Sequence, residues 1–157
     1  MSLTIFIDSR EKDRAIKKIV AEFDHQGVIY CTNKLYVGDY QSLDNPRLII
    51  DRKQNLTEMC ANVCQGHERF RNELIRAQKM GIKLIVLIEH SNQIKSIEDV
   101  AKWQNPRIKP GNKAMTGETL SKIMLTMERK YGCEFRFCDK LHTGKKIIEL
   151  LGGGFDA

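Results

Sequence analysis

Ile82-Lys83-Leu84-Ile85-Val86-Leu87-Ile88 decides the fold of this chain. A strand with one face in the core alternates apolar and polar residues, whereas a strand covered on both faces reads as a continuous apolar run. Leu84 to Ile88 is the longest such run in the sequence, and it is far too short to cross a membrane as a helix. The stretch is therefore read as a central strand of a sheet with helices on both faces.

The surrounding pattern agrees. Upstream, Leu56 to Met80 repeats its apolar residues at helical spacing, with a break at Gly66 and an end at Gly81. Leu48-Ile49-Ile50 is a strand, preceded by the turn-forming Asp44-Asn45-Pro46. Leu3 to Ile7 reads as a buried strand that delivers Asp8 at its end. Ile16, Ile19, Val20 and Phe23 form a helical stripe closed by Gly27. Val28 to Cys31 and Lys34 to Val37 are expected as strands leading to Gly38-Asp39. Downstream, Ser96 with Asp99 resembles a helix start, and Asn105 to Thr116 is an irregular loop containing Pro106 and Pro110. A helix through Leu120, Met124 and Tyr131, a strand at Phe135 and Phe137, and a last helix through Ile147 and Leu151 complete the chain. Strands alternating with helices throughout predict a three-layer α/β domain with a central mixed sheet flanked by helices.

The 157 residues suit one domain, and a hydrophobic fraction of 41% fills a real core, which excludes a disordered or fibrous chain. Lys plus Arg exceed Asp plus Glu by 26 to 20, a net charge of +6 that suits a polyanionic partner without proving one. The start, Met1-Ser2-Leu3-Thr4-Ile5, has no basic stretch of the kind that opens a signal peptide, so an intracellular, soluble, non-secreted protein is expected. Five cysteines fit reduced thiols. Cys60, Cys64 and His67 lack a fourth partner for a closed zinc site, and the cysteines are assigned to core filling.

Gly38-Asp39 and Asp51-Arg52-Lys53 carry the chemistry. On a strand, residues two apart share a face, so Asp51 and Lys53 point one way while Ile50 and Arg52 point the other. With Asp39 on a neighbouring strand, its carboxylate can meet that of Asp51. Two converging carboxylates repel unless a cation lies between them, and hard oxygen ligands suit Mg²⁺, with Mn²⁺ as a substitute. Lys53 then stands beside a metal-bound water, an arrangement able to attack a phosphodiester. The same triplet also fits a surface salt bridge on an edge strand. Asp8 and Glu11 supply a second acidic pair at the end of the first strand, where α/β sheets place their ligands. Glu11 fits a charge at a helix start equally well.

Ile7-Asp8-Ser9-Arg10-Glu11, Leu35-Tyr36-Val37-Gly38-Asp39-Tyr40 and Leu48-Ile49-Ile50-Asp51-Arg52-Lys53 resemble, in this order, three elements of the nuclease domain of the XPF-type structure-specific DNA endonucleases. That family carries Asp-x-Arg-Glu, Val-Gly-Asp-Tyr and Glu-Arg-Lys-x-x-x-Asp elements. Arg69 and Phe70 resemble its Arg-containing helix, and Lys83 to Glu89 the strand that follows. The resemblance covers most of residues 1–151 and implies a restriction-endonuclease-like fold of the Asp/Glu-x-Lys nuclease superfamily. It further implies an Mg²⁺-dependent endonuclease that cuts branched or flapped DNA, with metal ligands Asp39 and Asp51 and a water-orienting Lys53. Asp8 and Glu11 would complete the acidic cluster directly or through water. Arg10 and Arg52 would contact the phosphate or hold the carboxylates in place, and Arg69 would face DNA. Asp51 stands where the family usually has Glu. Thr57 stands where its last Asp is expected, with Glu58 one residue away.

The alternative reading is a non-catalytic DNA-binding or scaffolding subunit of a nuclease complex. The expected partners are branched DNA and either a second copy of the chain or another protein, with no membrane. Family members often add a helix–hairpin–helix module, which is not expected in these residues, and residues 152–157 are expected as a flexible tail. Lys102 to Lys113 contains Lys102, Arg107, Lys109 and Lys113 and no acidic residue, so it is expected as a mobile, phosphate-tracking loop. Trp103 suits base stacking or, more plainly, the core.

Overall fold

The computed structural model describes residues 3–65 and 67–152. Among the described residues the elements run β1 Thr4–Asp8, α1 Lys17–His25, β2 Ile29–Asn33, β3 Tyr40–Ser42, β4 Leu48–Lys53, α2 Leu56–Cys64 and α3 His67–Lys79. β5 Lys83–His90, α4 Ile97–Ala101, α5 Gly117–Tyr131, β6 Glu134–Asp139 and α6 Thr143–Gly152 follow. The strands form one sheet in the order β2-β1-β3-β4-β5-β6. Short β3 runs antiparallel to both neighbours, and every other adjacent pair is parallel, so the sheet is mixed.

The apolar run that opened the sequence behaves as a strand buried on both faces. Leu84, Val86 and Ile88 of β5 join Met59, Phe70, Leu74 and Met124 in one core cluster. Ile85 and Leu87 join Ile19, Phe23 and Ile147 in the other. Helices α2, α3, α4 and α5 thus cover one face while α1 and α6 cover the opposite one, which makes the three layers. The pleat of β4 splits the same way, with Ile49 in the first cluster and Ile50 in the second. No helix among the described residues is long and apolar enough to cross a membrane.

Local signals set the element ends. Asn55 caps α2 by accepting from the Glu58 amide at 2.8 Å, and the Glu58 carboxylate accepts from the Gln54 amide in return. Ser96 and Thr116 cap α4 and α5, and left-handed Gly132 closes α5.

Several expectations are corrected. Lys34 to Val37 is not a strand. Leu35 and Val37 are buried, but the amide of Leu35 donates to Asp8 Oδ1 at 2.9 Å in place of a ladder partner. The strand comes three residues later as β3, whose Tyr40 pairs with Ile7 and Ile50. Strand β4 extends past Ile50 to include Asp51, Arg52 and Lys53. Cys31, on edge strand β2, and Cys64, at the end of α2, are exposed, so the cysteines are only partly core. Gly152 is the last residue of α6, and the remainder of the expected tail, with Gly66, lies outside the described residues.

Gly117 shows where packing overrides propensity. Alanine inside a helix normally improves on glycine by about 1 kcal/mol. Here an added methyl would run into the carbonyl oxygens of Val100 and Trp103, because α5 starts directly against α4. Gly117→Ala is therefore expected to destabilise the fold by about 2–3 kcal/mol, read as a lower urea midpoint. An unchanged or raised midpoint would contradict this packing.

Candidate active site

Asp39 is placed by the backbone around it. Gly38 adopts φ +70, and a Cβ there would lie 2.6 Å from Ile49 Cγ2 and 3.0 Å from the Ile50 oxygen. Only glycine allows the chain this left-handed turn so close to β4. The Asp39 amide donates to the Ile50 carbonyl at 2.8 Å, and the Asp39 carbonyl accepts from the Asp8 amide at 2.8 Å. Its carboxylate accepts from the Arg52 amide at 2.8 Å. Asp39 is thus stapled across β1, β3 and β4 and remains only half-buried.

Asp51 and Lys53 point from β4 to the same side as Asp39, as strand alternation requires. Lys53 Nζ lies 3.2 Å from Asp51 Oδ2, donates to Asn62 Oδ1 at 2.8 Å and sits 4.7 Å above the Phe70 ring. Despite the ion pair, Asp51 Oδ2 is buried with no hydrogen-bond donor directed at it. Glu73 on α3 completes the group: it accepts from the Gly38 amide at 3.2 Å, and its carboxyl meets that of Asp51.

The charges respond accordingly. Burial, then the charges of Asp51 and Glu11, push the Asp39 carboxyl well above the ordinary carboxylate range. Burial and the Asp51 charge push Glu73 up to about 8. Burial opposes ionisation of Asp51 as well, but Lys53 and the neighbouring acids hold its carboxyl below the usual range. Burial works against the Lys53 ammonium, yet Asp51 and Glu73 outweigh it and raise its pKa. Lys53 is therefore held as a cation that donates its hydrogen bond to Asn62.

Arg52 points through the sheet to the opposite face. Its guanidinium bridges Glu11, at 2.7 and 3.1 Å, and Glu89. Tyr40 donates its hydroxyl to Glu11 at 2.7 Å, and Thr143, at the start of α6, donates to Glu89 at 2.6 Å. The Asp8 carboxylate is committed on both oxygens, accepting from the Leu35 amide on one and from Arg10 Nε, at 2.7 Å, on the other. The two residues expected as further metal ligands, Asp8 and Glu11, thus hold the chain and the Arg52 side chain. Arg52 holds carboxylates in place, and its side chain does not line the acidic cleft.

The cleft itself encloses about 410 Å³ and opens between α2, α3 and the turn after β1. Lys53 and Glu73 line its base, and Arg10, Arg69 and Arg76 its rim. Arg10 keeps 62% of its side chain exposed despite the pair with Asp8. Glu58 also faces the cleft, its carboxylate engaged by the Gln54 amide. Lys102, Arg107, Lys109 and Lys113 do not line it. Their loop is closed on itself by Asn105, which donates to the Met115 carbonyl at 2.8 Å, and by Asn112, which donates to the Arg107 carbonyl at 2.7 Å. Trp103 packs against the core and meets the His90 ring edge-on at 5.9 Å, so the plainer expectation for it holds.

Glu73, Asn62 and Glu89 were not singled out from sequence. The signal for Glu73 was present: on a helix, Arg69, Glu73 and Arg76 fall at i, i+4 and i+7, one face of α3. Asn62 and Glu89 carry no such signal, since each is defined by a partner on another element.

Among the described residues no three His, Cys, Asp or Glu side chains are arranged to enclose a metal ion unaided. Mg²⁺ does not require such a cage, because it keeps several waters and is usually held by one or two carboxylates together with substrate phosphates. An undonated buried oxygen on Asp51, beside two carboxyls whose ionisation is resisted, fits a divalent cation of that kind.

The ERCC4 domain family matches residues 7–151. No curated protein sequence matches the chain. Among solved structures, XPF from Aeropyrum pernix superposes with a TM-score of 0.69 at 17% identity, covering 97% of this chain and 65% of that one. XPF from Aeropyrum pernix in complex with DNA gives 0.70 at 17% identity, covering 98% and 66%. The chain therefore spans just under two thirds of the length of those proteins. It belongs to the ERCC4 domain family and has the fold of an XPF-type nuclease domain.

Proposed function

We propose that this chain is an Mg²⁺-dependent endonuclease that hydrolyses DNA phosphodiesters, with branched or flapped DNA as its substrate. The observation that carries the reading is the buried Asp51 Oδ2, ion-paired with Lys53 but without a hydrogen-bond partner, beside Asp39 and Glu73, with Lys53 and Glu73 lining a cleft that Arg10, Arg69 and Arg76 also line. Three acidic groups and a lysine gathered this tightly cost stability unless a cation offsets them. Asp39 and Asp51 would hold the ion, with Glu73 at its flank. When bound, the ion supplies charge stabilisation on the phosphate and a more acidic water.

The chain's own residues divide the remaining work. Lys53, held by Asn62 and the Phe70 ring, keeps its ammonium directed at the cleft, where it can orient the attacking water and offset phosphate charge. Arg69 and Arg76, which line the cleft, would clamp the phosphodiester backbone through charge-assisted hydrogen bonds. Arg52 stays behind the sheet, and its amide fixes Asp39 while its side chain fixes the end of β4.

Asp39→Ala and Lys53→Ala are each expected to lower the cleavage rate of a labelled flap or fork in Mg²⁺ by at least about 10²-fold. Circular dichroism and DNA binding should stay near wild type. Full cleavage by both variants would overturn the enzyme reading, and DNA binding without product at any Mg²⁺ or Mn²⁺ concentration would favour the scaffolding alternative.

The raised Glu73 carboxyl gives a pH dependence. Between about pH 4.5 and 8 Glu73 is protonated in the folded chain and ionised in the unfolded one, so the folded state binds more protons and stability falls as pH rises. In EDTA, Glu73→Gln is therefore expected to flatten the decline of Tm across this window and to raise Tm at pH 8. A parallel pH profile for variant and wild type would contradict the proposed coupling.

A further inference from the structure

Behind the sheet, opposite the acidic cleft, a second concavity of about 410 Å³ opens where β4 ends. Arg14 reaches it from the turn before α1, Lys17 and Lys18 from the start of α1, and Lys140 from the residue after β6. All four are exposed, and among the described residues none lies within ion-pairing distance of a carboxylate. The floor holds Arg52 and Glu89, and the Glu89 carboxylate is already matched by Arg52 and Thr143. Helix α1 adds neither a side-chain cap nor an acidic residue in its first turn. Four uncompensated cations converging on one cavity repel one another, and an anion seated among them removes that repulsion.

The lining also narrows the anion. None of these residues is aromatic, so the cavity offers nothing on which a base could stack. Arginine and lysine ends suit phosphate oxygens, and contacts confined to phosphates read a nucleic acid backbone without regard to sequence. Position narrows it further. Successive residues of β4 point to opposite faces, so Arg52 opens on this cavity and Lys53 on the cleft, and the two concavities flank one strand end. A branched substrate with one arm in the cleft would have this cavity within reach of its other arm, past the same strand end.

We infer that this cavity binds the phosphodiester backbone of a second arm of a branched DNA, apart from the scissile bond; this rests on the nuclease reading above. The decisive variant is Lys17→Gln/Lys18→Gln/Lys140→Gln, compared with Lys79→Gln/Lys95→Gln/Lys130→Gln, three exposed lysines placed elsewhere. Binding to a labelled three-way junction and to a linear duplex of equal length is measured in EDTA across a salt series. Each lost phosphate contact lowers the slope of log K against log salt by about 0.9. The cavity variant is thus expected to lose a slope of roughly 2–3 on the junction, with a smaller loss on the duplex and no change for the control. An unchanged slope on the junction overturns the inference, as does an equal loss on both DNAs, and wild-type protein that binds neither DNA overturns it too. Cleavage in Mg²⁺ is scored separately. If the cavity variant shows the slope loss while the wild-type chain forms no product, the nuclease reading is refuted and the cavity's role stands.

Discussion

The two-residue repeat of a β-strand organises this molecule, and nowhere more tightly than at Asp51-Arg52-Lys53. Because β4 is flanked by strands on both edges and by helices on both faces, each of its side chains must go into one layer or the other. Asp51 and Lys53 enter the layer of α2 and α3, and Arg52 enters the layer of α1 and α6. Charge is thereby buried on both faces of one strand end. Each face then needs its own compensation: Lys53 with Asn62 on the first, and Glu11 with Glu89 on the second. A buried ion pair contributes little net stability, but removing one partner is costly, so these groups are bound to one another as a set.

That division explains why some acidic groups of the sequence motif sit apart from the cleft. Asp8 spends both oxygens on Leu35 and Arg10, which fixes the irregular segment leading to Gly38. Glu11 spends its oxygens on Arg52 and Tyr40. Both serve the geometry of Asp39 and Asp51 from outside the cleft. The carboxyl that joins those two comes instead from α3, as Glu73.

The layer order and the split of β5 between two cores were legible in sequence because they follow from apolar periodicity, which depends on local spacing alone. The pairing of Asp51 with Lys53 was legible for the same reason. Lys34 to Val37 misled because its apolar residues are buried by a loop that Asp8 holds from 27 positions away. Strand β3, with three residues, offers too short a pattern to announce itself. Glu73 shares a helix face with Arg69 and Arg76 and was legible by spacing, whereas Asn62 and Glu89 are defined by partners on other elements, and such relations exist only once the chain is folded. Asn62, in particular, looks like any half-exposed helical asparagine until Lys53 is brought against it.

The short antiparallel β3 has one more consequence. It is the seam between a β1–α1–β2 unit and the parallel β4–β5–β6 unit, and it meets β4 through only the pairs Tyr40 with Ile50 and Gln41 with Ile49. Asp39 arrives from the loop entering that seam, Asp51 from the strand beyond it and Glu73 from a helix packed on the far unit. Neither unit by itself contains the full acidic group. The site is therefore a product of the completed sheet, and a nascent or half-unfolded chain does not bring these three carboxyls together.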